Sequence, residues 1–425
     1  MSASLKLEDM VKELRIDIDE NLEPELDARK CCIYRVPQDL RTVNEEAYTP
    51  QLVSIGPLHH GKKKLANMEK TKIKYMKSFL ERITTVKRDK ILNFIKDNEK
   101  NIRNCYAETS KLGKVEYAMM ILYDAIFIIE LFYRDDNFFC KSDLLLSTAR
   151  VKASLRRDFL LLENQLPYFV LKEICELALV GPKMPTFTYL SHSFFNTPTS
   201  NLGRLTPQVA VKHLLDWQRT SIVERNQKSE QVKGMIRYLP CAMKLHESGL
   251  KFKRLKEEHI LTNIRLKTRN QRVPWFEVHE MQIPHLKLLG HTESLLRNIM
   301  ALEQCHYPDD TQVCNYIRLM DYLIDTEKDV DLLVENGIIS HEMGDNTSVA
   351  NMFNKLSQFI SPSKSSHFEI CKKLREHYKN PWNKKKTTLK RVYFNNLWRG
   401  TATLAAVILL LLTIIQTTCS ILQFV

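Results

Sequence analysis

Residues Val115 to Tyr133 read VEYAMMILYDAIFIIELFY, and the assignment of this stretch decides the fold. It is apolar nearly all round and long enough to suggest a membrane span. Glu116, Asp124 and Glu130 argue against one, because Asp124 would sit mid-bilayer at a cost of about 3 kcal/mol. The stretch is expected to be the central core helix of a globular domain. Asp124 and Glu130, six residues apart, would point about 120° from each other on it, so they are not a carboxylate pair sharing a proton.

The other long apolar stretch is different. Thr401 to Val425 reads TATLAAVILLLLTIIQTTCSILQFV, with ten Leu or Ile and no charged side chain. As a helix it would reach roughly 37 Å, enough to cross a hydrocarbon core of about 30 Å. Gln416 and Gln423 are its only strongly polar interruptions. A buried core helix usually keeps a charged face, so a membrane-spanning helix is expected. Just before it lie Lys384, Lys385, Lys386, Lys390, Arg391 and Arg399, interleaved with Trp382, Tyr393, Phe394 and Trp398. Basic residues flanking a hydrophobic helix follow the positive-inside bias and attract anionic lipid at about 1 kcal/mol each. This block is read as a membrane flank, with Trp398 at the interface.

The 425 residues exceed what one core usually organises, and hydrophobic residues at 44% and charged residues at 27% are ordinary for a globular protein. The formal charge of +13 is uneven. Glu8 to Asp27 carries a net of −7, Lys62 to Lys100 of +8, Asp309 to Asp345 of −8 and Lys372 to Arg399 of +9. Ten cysteines are scattered singly apart from Cys31-Cys32, without a C-x-x-C. The N-terminus lacks the apolar core of a signal peptide. Reduced, buried thiols on the cytosolic side are expected.

Residues 1–30 read as an acidic arm. Extended pieces and turns are expected near 33–57, and amphipathic basic helices at 66–83 and 87–105. Apolar helices split at Pro167 should fill 156–180. Further helices are expected at 207–224, 233–247, 292–306, 313–335, 348–360 and 367–378, with a small sheet at 250–289, where the pattern alternates.

Catalytic signatures are weak. Gly56-Pro57-Leu58-His59-His60-Gly61-Lys62-Lys63 nearly spells a phosphate loop. However, Lys63 replaces the Mg²⁺-holding hydroxyl and Pro57 removes an amide donor. A tight turn before a helix is the better reading. His59-His60 diverge in a regular backbone, and His341-Glu342-Met343-Gly344-Asp345 lacks the second His of a zinc helix. There is no nucleophile elbow, dinucleotide fingerprint or kinase loop set. No catalytic, cofactor or metal residue is assigned, and no cofactor is expected. Glu163, Asn164 and Gln165 in LLLENQLP (160–167) interrupt an apolar run; if buried they demand partners and are read as a polar network fixing a helix break.

These motifs, taken in order, resemble the plant family called domain of unknown function 247. The matching stretches are Ile33 to Pro37, Pro50 to Gly61, Leu160 to Leu171 (LLLENQLPYFVL), Leu250 to Lys253, Ala301 to Asp331, Val349 to Leu356 and the terminal apolar helix. The resemblance spans roughly residues 30–425 and implies a single-pass membrane protein without an assigned activity. Some grass members are implicated in pollen self-recognition, a role not carried over here. Many members have acidic residues just before the segment matching Thr292-Glu293, where this chain has Leu288-Leu289-Gly290-His291.

The expected architecture is mainly α with a small β element. Residues 1–30 form the arm, 31–380 a mostly helical globular part built as one large bilobal domain or two closely packed ones, 381–400 a basic linker and 401–425 the transmembrane helix. The expected function is a membrane-anchored interaction or recognition module without catalysis, its partners being lipid and an unidentified protein. The globular part is expected in the cytosol, with the tail inserting after translation. The sequon Asn346-Thr347-Ser348 marks the opposite orientation as the alternative. Rival readings are an enzyme with a composite pocket lined by Glu163, Asn164 and Gln165, and nucleic-acid binding through the 62–100 helices.

Overall fold

In the computed structural model the 115–133 stretch lies within one helix, Lys114–Asp136. From Ile121 to Phe132 every side chain except the half-buried Tyr123 is at most 2% exposed, so this part is core on nearly every face, whereas Val115 and Met119 near its start are exposed. The structure describes residues 29–137, 143–179, 181, 184–195, 210–223, 234–256, 260–270, 277–383, 385, 387–388 and 397–423. The proposed acidic arm, apart from Arg29 and Lys30, lies outside them.

The chain divides into two compact units, Met1–Ser221 and Ile222–Val425. The described helices of the first are α1 (Gln38–Val43), α2 (Ala66–Arg82), α3 (Thr85–Arg103), α4 (Lys114–Asp136), α5 (Leu144–Ser147), α6 (Ala149–Asp158), α7 (Tyr168–Ala178), α8 (Phe187–Phe195) and α9 (Leu214–Ile222, ending just past the division). Helices α2, α3, α7 and α8 all pack on α4. Around Phe132 the core is aromatic: its ring stacks on Phe194 at 4.2 Å between centroids and on Phe187 at 5.9 Å. Asp124 and Glu130 take different partners. Lys72 meets Asp124 at 2.5 Å, whereas Glu130 pairs with Arg82 and with Arg134.

The second unit holds α10 (Ala242–Glu247), β1 (Lys251–Leu255), β2 (Arg265–Asn270), β3 (Glu277–Pro284), β4 (Leu286–Leu288), α11 (Thr292–His306), α12 (Gln312–Leu323), α13 (Glu327–Glu335), β5 (Ile339–His341), α14 (Asn346–Leu356), α15 (Phe368–Lys379) and α16 (Leu397–Gln423). The alternation at 250–289 folds as expected into a three-stranded sheet of order β1-β3-β2. In it β1 runs parallel to β3, with Phe252 opposite Met281, and β2 runs antiparallel to β3. A separate parallel pair joins β4 to β5.

Three expectations are corrected. The 33–57 segment forms no strand; its only ladder contact is an isolated bridge between Ile33 and Tyr106. Of 233–247, the described residues 234–241 are not helical. Pro240 biases the residue before it away from helix, and α10 starts only at Ala242. The 313–335 helix is broken at Ile324–Thr326, where Thr326 and Asp329 form a reciprocal capping box that starts α13.

Helix α16 includes Ala405–Leu422, 18 residues of mean hydropathy 2.3 with none buried. It is the one helix among the described residues long and apolar enough to cross a membrane.

Candidate functional site

The connection between α6 and α7, residues 159–167, runs through the first unit's core. Pro167 stands at the N-cap position of α7, and Glu163, Asn164 and Gln165 are each 1% exposed. A buried amide or carboxylate without partners would cost several kcal/mol, so the neighbourhood is built around these three.

Asn164 treats a distant segment as a strand would. Its Oδ1 accepts from Ile55 N at 2.7 Å, and its Nδ2 donates to Val53 O at 3.1 Å and to Asp158 O at 2.9 Å. Gln165 Nε2 donates to Phe159 O and Leu161 O, both at 2.7 Å, closing its own loop. Its Oε1 accepts from Leu215 N at 3.3 Å and its backbone oxygen accepts from Tyr106 Oη at 2.9 Å.

The segment 50–56 explains why no strand is needed there. Asp158 accepts from Gln51 N, Leu52 N and Val53 N at 2.7–3.1 Å. Asp124 Oδ2 accepts from Gly56 N at 2.8 Å, and Lys72 Nζ donates to Ser54 O at 2.6 Å. Side chains thus satisfy backbone groups that a neighbouring strand would otherwise serve. Burial would strip Lys72 of its proton, but Asp124 and Glu69 outweigh it and hold the ammonium charged. Burial pushes the Asp158 carboxyl up, and the three amides offset this in part.

Glu163 is the charged centre. Its Oε1 accepts from Val36 N at 2.8 Å and from Arg41 at 2.5 Å; its Oε2 lies 3.2 Å from His59 Nε2 and 3.5 Å from Arg35. The His59 contact is close but poorly aligned, and His59 Nδ1 has no hydrogen-bond partner among the described residues. Burial raises the Glu163 pKa, yet His59, the Val36 amide and Arg41 together outweigh it and bring it to about 2. Burial lowers that of His59, so its imidazole is neutral. A carboxylate this acidic is a poor general base near pH 7. It suits an anchor for segment 35–41.

Arg35 reaches outward from this centre. Its guanidinium makes a two-pronged ion pair with Glu108 at 2.6 and 2.7 Å. The pair lies on a surface cleft of about 250 Å³, also lined by Pro57, Leu58, His60 and Lys111. The phosphate-loop likeness is not a phosphate site here: Pro57–His59 and Lys63–Leu65 are single turns, and the Gly56 amide is taken by a carboxylate. His341 lies in β5, its Nε2 2.6 Å from Asn346 Oδ1. Among the described residues no group of three or more His, Cys, Asp or Glu is placed to hold a metal.

Of the flank residues, Lys385 is exposed with its ammonium 5.7 Å from the Trp382 ring. Trp398 and Arg399 fall in the first turn of α16. Lys384, Lys386, Lys390 and Arg391 lie outside the described residues. Sequence reasoning missed Asp158 and Tyr106, whose roles depend on contacts remote in the chain. Gly56 carried a signal, as a glycine ahead of Pro57.

The family model described as a plant protein of unknown function, DUF247, matches residues 33–412. UPF0481 protein At3g47200 of Arabidopsis thaliana is 28% identical, over 93% of this chain and 87% of its own length. A second UPF0481 protein of that plant, At3g02645, is 23% identical over 94% and 93%. No solved structure matches the chain. With its family match running from the bridged residue Ile33 into the apolar helix, the chain belongs to the plant DUF247 family.

Proposed function

We propose that this protein is a membrane-anchored interaction or recognition module that acts by binding, not by catalysis. The observation carrying the proposal is the bare apolar surface of α16. From Val407 to Leu422 its large apolar side chains are 49–75% exposed. A monomer in water rarely presents a contiguous apolar patch above a few hundred Å², and lipid covers this one at no cost in unsatisfied backbone groups. The first unit supports the non-catalytic half, since Asn164 and Gln165 direct their polar atoms at backbone groups and the Glu163 carboxylate is taken up by Val36 N, Arg41 and Arg35.

The cytosolic orientation draws support from Asn346. Its amide nitrogen donates to Asp331, and its Oδ1 faces His341 at the start of α14. A glycan on that nitrogen would replace one of its two hydrogens and crowd the contact with Asp331. Nucleic acid is left out of this reading. Within the basic 62–100 block, Lys72 and Arg82 pair with Asp124 and Glu130, while Lys87 and Arg88 donate to Ala178 O and Leu80 O.

The test is membrane fractionation with carbonate and high-salt washing. The full chain should stay with pelleted vesicles and a chain cut after Asn380 should be released. Equal retention of both would overturn the proposal. Endoglycosidase-sensitive modification of Asn346 would overturn the orientation.

A further inference from the structure

Where the first described segment meets the end of α3, two cysteines far apart in sequence are brought together. Ile33 and Tyr106 form a parallel bridge. Ile33 N donates to Cys105 O and Ala107 N to Ile33 O, both at 2.9 Å, and Cys32 N shares Cys105 O at the same distance. Cys32 and Cys105 each precede the bridged residue by one, so this register places them opposite each other and on one face. Neighbouring strands lie about 4.8 Å apart, inside the Cα separation of about 4.4–6.8 Å that a disulfide spans. The two buried thiols are close enough to shift each other's acidity, Cys105 Sγ donates to Asn101 O at 3.3 Å, and both are free.

We propose that Cys32 and Cys105 form an oxidisable dithiol that closes to a disulfide with a peroxide-class oxidant.

The two sulfurs are not equivalent. The neighbouring Cys32 thiol holds the Cys105 thiol below its ordinary value; burial opposes this, and Lys212 and Lys30 reinforce it. The Cys105 thiol and burial push Cys32 up. By contrast burial pushes Cys175 and Cys371 up to about 12, with no neighbouring thiol acting on either. The thiolate is the nucleophilic form, and Cys105 is the thiol whose ionisation its surroundings favour, so Cys105 reacts first. Its sulfur attacks one peroxide oxygen: an S–O bond forms, the O–O bond breaks, and the departing hydroxide takes up the thiol proton as water. The product is Cys105 sulfenic acid. The Cys32 sulfur then attacks Cys105 Sγ: an S–S bond forms, the S–O bond breaks, and the hydroxide leaves as water with the Cys32 proton. The two thiols lose two electrons, and the peroxide gains them.

Closure would tie the segment at Ile33 to the turn after α3, one residue before Tyr106, whose hydroxyl donates to Gln165 O. It would also lie three residues before Arg35, which faces Glu163. The bond would therefore lock the segment on which the Glu163 centre and the adjoining cleft depend.

The full chain, purified reduced, is treated with hydrogen peroxide while folded, blocked with N-ethylmaleimide and digested without reduction. Mass spectrometry should find the Cys32 and Cys105 peptides joined, and dithiothreitol should separate them. Cys31→Ser should retain the link. Cys32→Ser should leave Cys105 as a sulfenic acid that dimedone traps. The urea-unfolded wild-type chain, with its thiols no longer held together, should give the link in about tenfold lower yield. Joining of Cys105 to Cys31, full alkylation of both thiols after peroxide, or equal yield from the unfolded chain would each overturn the proposal. The wild-type readouts stand whether or not a variant folds.

Discussion

A β-carbon placed on Gly56 would meet the carbonyl oxygen of Gln165 at 2.6 Å and Tyr106 Oη at 2.9 Å. Gly56 also has φ of +70°, so the position excludes side chains twice over. Gly56→Ala should destabilise the first unit by about 3 kcal/mol or more, because a side chain at φ +70°, ψ −176° costs about 1–3 kcal/mol and the clash is with backbone. Gly61 is the control: its φ is +76°, but a β-carbon there meets nothing within 4 Å. Urea unfolding followed by circular dichroism should show Gly61→Ala losing only the conformational part. Equal losses would mean that the close approach to Gln165 is unimportant.

Asn164 supplies one acceptor and two donor contacts to main-chain groups. Asn164→Ala orphans Ile55 N and Val53 O, at about 1–3 kcal/mol for each buried group, and leaves Asp158 O only the longer bond from Leu161 N. Asn164→Asp keeps the acceptor for Ile55 but turns an anion toward two carbonyl oxygens. It should be at least as damaging as alanine in the same urea titration. An Asp variant of near wild-type stability would show that the donor contacts contribute nothing.

The low pKa of Glu163 has a defined pH signature. Its ordinary value is 4.5 and its folded value about 2. A depressed carboxylate contributes stability that is complete above about pH 4.5 and lost as pH falls toward 2. The size is about 3 kcal/mol, at 1.36 kcal/mol per unit. Glu163→Gln should therefore be less stable than wild type at pH 7, with the gap narrowing as pH drops toward 2. A constant gap across this range would show that the charge is not what the site uses.

In the second unit His367 is 5% exposed, and burial lowers its pKa from 6.5 to about 4. Below pH 6.5 the unfolded chain takes up a proton that the folded one refuses, so stability should fall between pH 6.5 and 4, again by about 3 kcal/mol. Thermal melts of wild type and His367→Gln over that range should converge as pH falls. An NMR titration of His367 near 6.5 in the folded protein would contradict this.

Membrane anchoring predicts a sharp sensitivity at the middle of α16. Each Leu or Ile there favours insertion by about 0.3–0.6 kcal/mol, whereas one central Asp costs about 2.5–3.5 kcal/mol. Ile414→Asp should cancel most of the gain and release the protein in carbonate wash. Ile414→Val should leave it bound. Retention of the Asp variant would argue against a spanning helix.

Some of this was legible from residues alone. The 115–133 stretch is apolar on all faces yet carries acids too costly for lipid, so its place in a protein core follows from composition and period. The 250–289 alternation likewise announces strands, since side chains of a half-buried strand alternate faces. The uncharged run of α16 identifies a helix without a wet face. All three depend on which side chains recur within one element.

The rest needed the tertiary structure. The sequence marked Glu163, Asn164 and Gln165 as polar groups requiring partners, but the groups that meet Asn164 at Ile55 and Val53 lie 109 and 111 residues away. The extended character of 50–56 was legible, but its lack of a pairing strand was not, because Asp158, Asn164, Asp124 and Lys72 take that role from outside the segment. Local sequence sets periodicity and composition; a buried hydrogen bond is specified only when packing brings donor and acceptor into register.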